Sequence, residues 1–466
     1  MKKPNKKRTW LARALGAGAM LTTSAVACAG LLPSMNEKPM TSWAMVYGTE
    51  KPQQRPTALL FGVVQPGYSY IQSSSTTSPN VTGGGAFKFY RLRPGIRGSL
   101  GPNIDYFFLA EFANNAANPD AGVNAAARVM DGNVTLNYIP GVHVQVGQML
   151  VPFGEEGATA AGVLPWINYS PATYNIDFNQ YATTPSNNGI ASPPAGPANG
   201  LFDAGREMGL MAFNQFVHGP MAVDYAVGYF NGTGLSQLQG NVNHPDQAFV
   251  HGGFDFGPLG IAGSYESGRQ VMGVPDCTAH NLAGACTTIK YIPGDSFQQS
   301  RYAIDVRYGN YIKDPLWLWY EYQSATNDQP GTNNNGLARG WFAAAGFHPV
   351  KKFMGVFRYS AYNTENLLST TAGTNAGGGF APSFTVNTNP GTPATSTTPA
   401  TPPTYTVPPK SNVSLNQDSL IGVYLARKGV RYYVEFDHTT YNNSTLPADN
   451  AVSVMVSVPF GARLLH

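Results

Sequence analysis

The stretch FYRLRPGIRG, residues 89–98, sets Arg91, Arg93 and Arg97 two and four residues apart. Successive side chains on a β-strand alternate between faces, so these guanidiniums share one face while Tyr90, Leu92 and Ile96 take the other. Three cations opposite an apolar face suit a nucleic-acid patch, a solvated sheet edge or the inner wall of a pore. The same alternation in SFQQSRYAIDVRYGN groups Arg301 and Arg307 with Asp305, opposite Tyr302, Ile304, Val306 and Tyr308. Arg358 likewise opposes Phe357 and Tyr359. Glu111, Asp131, Asp224, Glu266, Glu321, Glu435 and Asp437 fall on the corresponding faces of their own segments. A pore wall built from these residues is mixed in sign, and charges on such a wall set selectivity. A mild anion preference is the expectation, with little selectivity and cation preference as the alternatives.

Other chemistries have less support. His143, His218, His244, His251, His280, His348, His438 and His466 are scattered, and none stands in a nucleophile-elbow or zinc spacing. No residue set recommends an enzyme. There is no CxxCH, so no covalent haem is expected, and no other cofactor or metal site is indicated. Cys277 and Cys286 lie close together in VPDCTAHNLAGACTTIK. In an exported protein such a pair is expected to form a local disulfide.

Export is indicated by residues 1–29. KKPNKKR is a basic n-region, WLARALGAGAMLTTSAVA is a mostly apolar stretch, and Ala25-Val26-Ala27 fits a cleavage site. AVAC also resembles a lipoprotein signal that would acylate Cys28, although Ala25 stands where such signals carry leucine. Removing this leader takes away Lys2, Lys3, Lys6, Lys7, Arg8 and Arg13, which leaves 23 basic against 26 acidic residues, a net charge of −3. A nucleic-acid partner, which wants a basic domain, loses its support.

The elements that must position the arginines are strands. Charged residues make up only 12% of the 466, aromatics reach 12%, and there are 52 Gly and 36 Pro, a composition poor in helix formers. No apolar run beyond the leader is long enough for a membrane helix. From residue 57 onward, segments of roughly ten residues alternate apolar and polar positions. AVSVMVSVPF sets Val452, Val454, Val456 and Val458 against Ser453, Met455 and Ser457; VDYAVGYF sets Val223, Tyr225, Val227 and Tyr229 against Asp224, Ala226 and Gly228. VHVQVGQ and NVTLNYI alternate in the same way.

Sixteen such segments are joined alternately by short turns and longer gaps. The turns include 101–103, 140–141, 218–220, 257–258 and 309–310; the gaps are 73–84, 115–126, 153–204, 232–247, 271–296, 326–336, 365–412 and 443–449. Short turns on one rim and long loops on the other define an outer-membrane β-barrel with its long loops outside the cell. The fold expected is an all-β transmembrane antiparallel barrel over residues 57–462, preceded by a periplasmic extension, 30–56. Segment 153–204 is expected to fold into the lumen as a constriction. The Thr/Pro-rich segment 365–412 is expected to be exposed.

Four stretches, FYRLRPGIRGSLGPNIDYFFLAEFAN, VQVGQMLVPFGEE, GREMGLMAF and YAVGYFNGTG, resemble in order and spacing the phosphate-selective porin O and P family of Gram-negative outer membranes. Gly147-Gln148 and Pro152-Phe153-Gly154-Glu155 look like its most recognisable block, and Gly205-Arg206-Glu207 and Phe230-Asn231-Gly232 like its next markers. The resemblance spans roughly residues 85–234. It implies a sixteen-stranded barrel in outer-membrane lipid, usually a homotrimer, passing small hydrophilic or anionic solutes by diffusion. Arg91, Arg93, Arg97, Arg301, Arg307, Arg358, Glu111 and Asp131 are the expected pore-lining set. The other reading is a structural barrel that anchors or sheathes a periplasmic or extracellular partner such as a cytochrome. Two departures stand out: Pro94 interrupts the second strand, and the chain ends PFGARLLH, not on an aromatic residue.

Overall fold

A computed structural model describes residues 55–72, 84–113, 128–160, 162–173, 176, 205–231, 247–280, 286–327, 336–365, 414–441 and 448–465, with the isolated pairs 184–185, 191–192, 367–368 and 410–411. Sixteen strands form one closed antiparallel barrel in chain order. They are β1 (Ala58–Gln72), β2 (Gly84–Gly101), β3 (Ile104–Glu111), β4 (Arg128–Ile139), β5 (Val142–Leu150), β6 (Arg206–His218), β7 (Met221–Phe230) and β8 (Gln247–Phe256). The second half contains β9 (Leu259–His280), β10 (Cys286–Tyr308), β11 (Leu316–Asn327), β12 (Gly336–Val350), β13 (Phe353–Glu365), β14 (Ser414–Leu425), β15 (Arg431–Tyr441) and β16 (Asp449–Leu465). β16 pairs back on β1, from Ala58↔Leu465 to Gln72↔Asn450. Closure leaves no open edge, which is what allows strands to cross lipid.

Two-residue alternation is visible in the burial of each strand. In β7, Asp224, Ala226 and Gly228 are buried while Val223, Val227 and Tyr229 are exposed. In β16, Ser453, Met455 and Ser457 point inward and Val452, Val454 and Val458 outward. The outer face of the barrel is thus apolar, and the charges that the sequence grouped with the arginines are inside.

Three boundaries differ from the sequence expectation. The 271–296 gap is mostly strand, because β9 and β10 continue as a long hairpin to His280 and Cys286. Register shifts at Val271/Gly273, Cys277/Ala279 and Ala279/His280 absorb the Gly and Pro residues that signal a loop in the sequence. The 309–310 turn extends to residue 315, and it carries Tyr311 into the barrel, where its ring stacks on Trp319 at 6.0 Å. Strand β16 runs past the expected barrel end at residue 462 and pairs with β1 as far as Leu465.

The core lies inside the barrel. One buried cluster joins Met149, Leu150, Val151 and Phe153 to Met211, Phe213, Phe230 and Phe249. A second joins Leu164, Trp166, Ile167 and Tyr169 to Trp317, Trp319, Phe342, Ile421, Val423 and Tyr433. In both, residues that follow β5 pack against the inner faces of strands.

Candidate functional site

The β2 arginines lie on the inner wall. Arg91 Nη1 donates to Gln65 Oε1 at 3.0 Å, and its guanidinium sits 5.2 Å from the Tyr169 ring centre. Arg93 Nε pairs with Glu111 Oε2 at 2.7 Å. Arg97 is half-buried and lies over the Phe61 ring at 5.5 Å. Pro94 does not break their phase. Its missing N–H falls at the end of the β2–β3 ladder, whose last register pair is Gly95↔Leu109. The neighbouring Leu92 N–H is taken by Glu111 Oε1 at 2.9 Å, and Leu92 O accepts from the Phe112 N–H at 2.9 Å.

The irregularity sits elsewhere. Gln65 pairs with Arg91 but Pro66 with Phe89, so Tyr90 is the extra residue of a β-bulge. Tyr90 therefore turns inward beside Arg91 and is buried, correcting the expected lipid-facing position, while Phe89 and Phe87 face out.

The PFGEE block opens the inward loop. Its two ends meet where the Val151 N–H donates to Gly205 O at 2.8 Å. Phe153 is fully buried under the Arg301 guanidinium, 4.3 Å from its ring centre. Gly154 has φ 67°, and a Cβ there would stand 2.6 Å from Glu321 Oε1, so only glycine lets the turn press on that carboxylate. In the four-residue helix that follows, α1 (Glu155–Ala158), Glu155 Oε1 accepts from Arg307 Nη1 at 3.0 Å. Glu156 gives its N–H to Glu321 Oε2 at 2.8 Å, and its carboxylate accepts from the Ser170 N–H and hydroxyl.

The loop then reaches the far wall. The Ile167 N–H donates to Glu435 Oε2 at 2.5 Å, Asn168 Nδ2 to Asp437 Oδ2 at 3.1 Å, and Tyr433 Oη to Leu164 O at 3.0 Å. Arg358, with no exposed surface, ties the parts together. It donates to Asn168 O at 2.8 Å, meets Glu156 at 3.4 Å and Glu435 at 3.5 Å, and lies 4.9 Å from the Trp166 ring centre. Further along, Ile176 O accepts from Arg301 Nη1 at 3.1 Å.

The remaining charges pair between strands: Arg301 with Glu266 at 2.5 Å, Arg206 with Asp131 at 2.9 Å, Arg307 with Asp255 at 3.3 Å. Arg206, Glu155 and Glu156 were not in the set expected from sequence, although the family markers contain the first two. Among the described residues the buried set holds 14 Asp and Glu against 6 Arg, so carboxylates outnumber arginines in the interior.

One triplet has the composition of a hydrolase triad. His251 Nδ1 lies 2.8 Å from Ser264 Oγ, and its Nε2 lies 2.9 Å from Asp224 Oδ1. Ser264 Oγ, however, donates to the Pro152 carbonyl at 3.1 Å, so its proton is committed to seating the start of the loop.

In the hairpin tip, Cys277 pairs in register with Ile289 and Cys286 with His280. Their side chains lie outside the described residues.

Burial pushes the Glu155 carboxyl up to about 8; Arg307 opposes the shift, and Asp305, Asp255 and Asp224 add to it. The folded barrel thus holds this proton more tightly than the unfolded chain does. The stability this contributes is complete below 4.5 and is lost as pH rises through about 8. Over the same window the interior gains a negative charge. Cation preference, read as the reversal potential across a KCl gradient, is expected to rise between about pH 6 and about pH 9 and to rise less steeply in Glu155→Gln.

A closed barrel of sixteen strands, apolar toward lipid and charged within, defines a Gram-negative outer-membrane barrel of the porin class. Residues 66–203 match the sequence model of the phosphate-selective porin O and P family, a stretch that contains the β2 arginines and the PFGEE block. Among solved structures, the anion-selective porin from Comamonas acidovorans is similar at a TM-score of 0.51 and 13% identity, over 87% of this chain and 100% of that one. The outer membrane channel DcaP of Acinetobacter baumannii gives 0.50 and 12%, over 88% and 100%. OmpT, an outer membrane protein of Vibrio cholerae in its trimer form, gives 0.50 and 10%, over 87% and 100%. At these identities the likeness is one of fold. A comparison with curated proteins found no match.

Proposed function

We propose that this chain is a non-catalytic porin through which small hydrophilic solutes diffuse passively, with segment 153–204 as its constriction. The observation that carries the reading is a charged inner wall in a barrel of a strand number that in porins encloses an aqueous channel. The β2 arginines favour anions locally, and the Comamonas porin is described as anion-selective. The carboxylate surplus inside outweighs them, so the preference inferred is weakly cationic. On the same reading, residues 1–29 are a cleaved export signal, 30–56 a periplasmic extension and 365–412 an extracellular loop. The working unit is a homotrimer in outer-membrane lipid.

Planar-bilayer recording tests this. Stable conductance steps with a cation-sided reversal potential are expected, and neutralising Arg91, Arg93 and Arg97 together should move that potential further toward cations. A reversal potential on the anion side would sink the selectivity. Absence of steps would favour the second reading, a barrel that anchors or sheathes a partner, which the packed aromatic interior of β11 and β12 supports.

A further inference from the structure

The periplasmic rim of the barrel is charged on one side only. Its turns 101–103, 140–141, 219–220 and 257–258 consist of Gly, Pro and Asn and contain no charged residue. The next three turns, 309–315, 351–352 and 426–430, and the residues before β1 carry Lys313, Lys351, Lys352, Arg427, Lys428 and Arg55, all exposed. The strands follow chain order around the barrel and β16 closes on β1, so these positions are neighbours and form one unbroken arc. Backbone bonds join adjacent turns: the His348 N–H donates to Pro315 O at 2.8 Å, and the Leu425 N–H to Lys352 O at 2.7 Å. The only acid in the three turns, Asp314, is buried and accepts from the Asn310 N–H at 2.5 Å, so it does not offset the cations.

Two observations set this arc apart from ordinary solvated turns. Lys428 has φ 59° and is the only non-glycine residue with positive φ among the described residues. Glycine or asparagine takes that left-handed conformation at less cost, so the turn itself does not call for a lysine. The cations also stand at the edge of the lipid-facing surface. Lys351 and Lys352 lie between the exposed Val350 and Phe353, and the exposed rings of Tyr424 and Tyr432, 6.2 Å apart, flank the 426–430 turn. Aromatic residues on the outer face mark the boundary between membrane and water, which puts the arc at headgroup depth. Arg431, by contrast, turns inward, where its Nη1 donates to Val163 O at 2.8 Å.

We propose that this arc binds anionic phospholipid headgroups of the periplasmic leaflet, with phosphatidylglycerol-type phosphodiesters as the class of ligand. Clusters of Lys and Arg beside membrane-spanning segments attract anionic lipid through their summed field. At close range both side chains donate charge-assisted hydrogen bonds to phosphate oxygens. The uncharged half of the rim has no such attraction. The lipid around the barrel is therefore uneven, anionic along β10–β16 and unselective along β2–β9. An acidic protein fits less well, because the cations border the lipid-facing aromatics. The inference does not depend on what the barrel conducts.

The test is electron spin resonance of spin-labelled phosphatidylglycerol or phosphatidylcholine with the full chain in phosphatidylcholine bilayers. The wild type should immobilise phosphatidylglycerol several-fold more strongly at low salt, and the preference should fall as salt is raised. Each cation removed should weaken the hold on a headgroup about fivefold. Lys351→Gln, Lys352→Gln and Lys428→Asn combined should therefore bring the two lipids close to parity. Lys428→Asn alone should lower the preference while easing the turn, whereas a purely structural lysine would leave the preference unchanged. Retention of the heat-modifiable gel shift of a folded barrel checks each variant. Equal immobilisation of the two lipids by the wild type, or an unchanged preference in the triple variant, would overturn the lipid site. So would a wild type without headgroup preference that binds soluble poly-glutamate, which would assign the arc to an acidic macromolecule.

Discussion

Arg358→Ala is expected to destabilise the barrel by about 3–5 kcal/mol and to free the inward loop from the far wall. The side chain has no exposed surface and stands between Glu156 of the loop and Glu435 of β15. Burying an ion set is not itself strongly stabilising, since desolvation offsets much of the attraction; removing one member is costly because the others stay buried without a counter-charge. Loss of the guanidinium also leaves Asn168 O without its 2.8 Å donor and Trp166 without its cation. Two measurements should move together: a lower urea midpoint in detergent and a larger single-channel conductance. Arg358→Lys should fall between, because one ammonium cannot reproduce a planar fork that serves several partners at once. Combining Arg358→Met with Glu156→Gln and Glu435→Gln should recover much of the stability, since no unpaired charge then remains. A wild-type midpoint in Arg358→Ala would mean that this network does not hold the loop.

How far the sequence discloses this arrangement depends on the range of the contacts. Alternation in β7 and β16 is legible because lipid on one side and polar groups on the other impose a two-residue code on each strand alone. Arg93 and Glu111 could be placed on one face for the same reason. The bulge was not legible. Pro94 is a visible signal, yet the ladder accommodates it at its end, while the extra residue Tyr90 has no mark in its chemistry. Gly and Pro in residues 271–296 suggest a loop, but a long hairpin tolerates them through register shifts. The loop's course was the least legible. Contacts of Glu156 with Arg358 and of Ile167 with Glu435 join residues more than 200 positions apart, and no local pattern encodes them. Trp317 and Trp319 illustrate the gap: alternation assigns them a common face but not the Trp166 and Tyr311 rings that fill the space against them.

Trp166→Ala should have the second large effect, about 3–5 kcal/mol for a large aromatic side chain lost from a packed site, but felt in a different place. Trp166 is 1% exposed, its ring 5.2 Å from Trp319 and 5.6 Å edge-on to Phe342. It belongs to the loop and takes no part in the sixteen-strand ladder. The loss should therefore appear as local opening of the loop while the barrel stays closed. Strand content by circular dichroism is expected to stay at the wild-type value while single-channel conductance rises. Segment 153–204 contains no Lys or Arg, so chymotrypsin, not trypsin, is the reagent that reports the opening. Cleavage near Tyr169 is expected to be faster by orders of magnitude, since protease susceptibility follows the population of the opened state. Trp166→Phe, which keeps an aromatic face toward Trp319 and Phe342, should lose less. If Trp166→Ala instead lowered global stability with the loop still protected, the loop and the wall would form one cooperative unit, and the constriction could not move independently of the barrel.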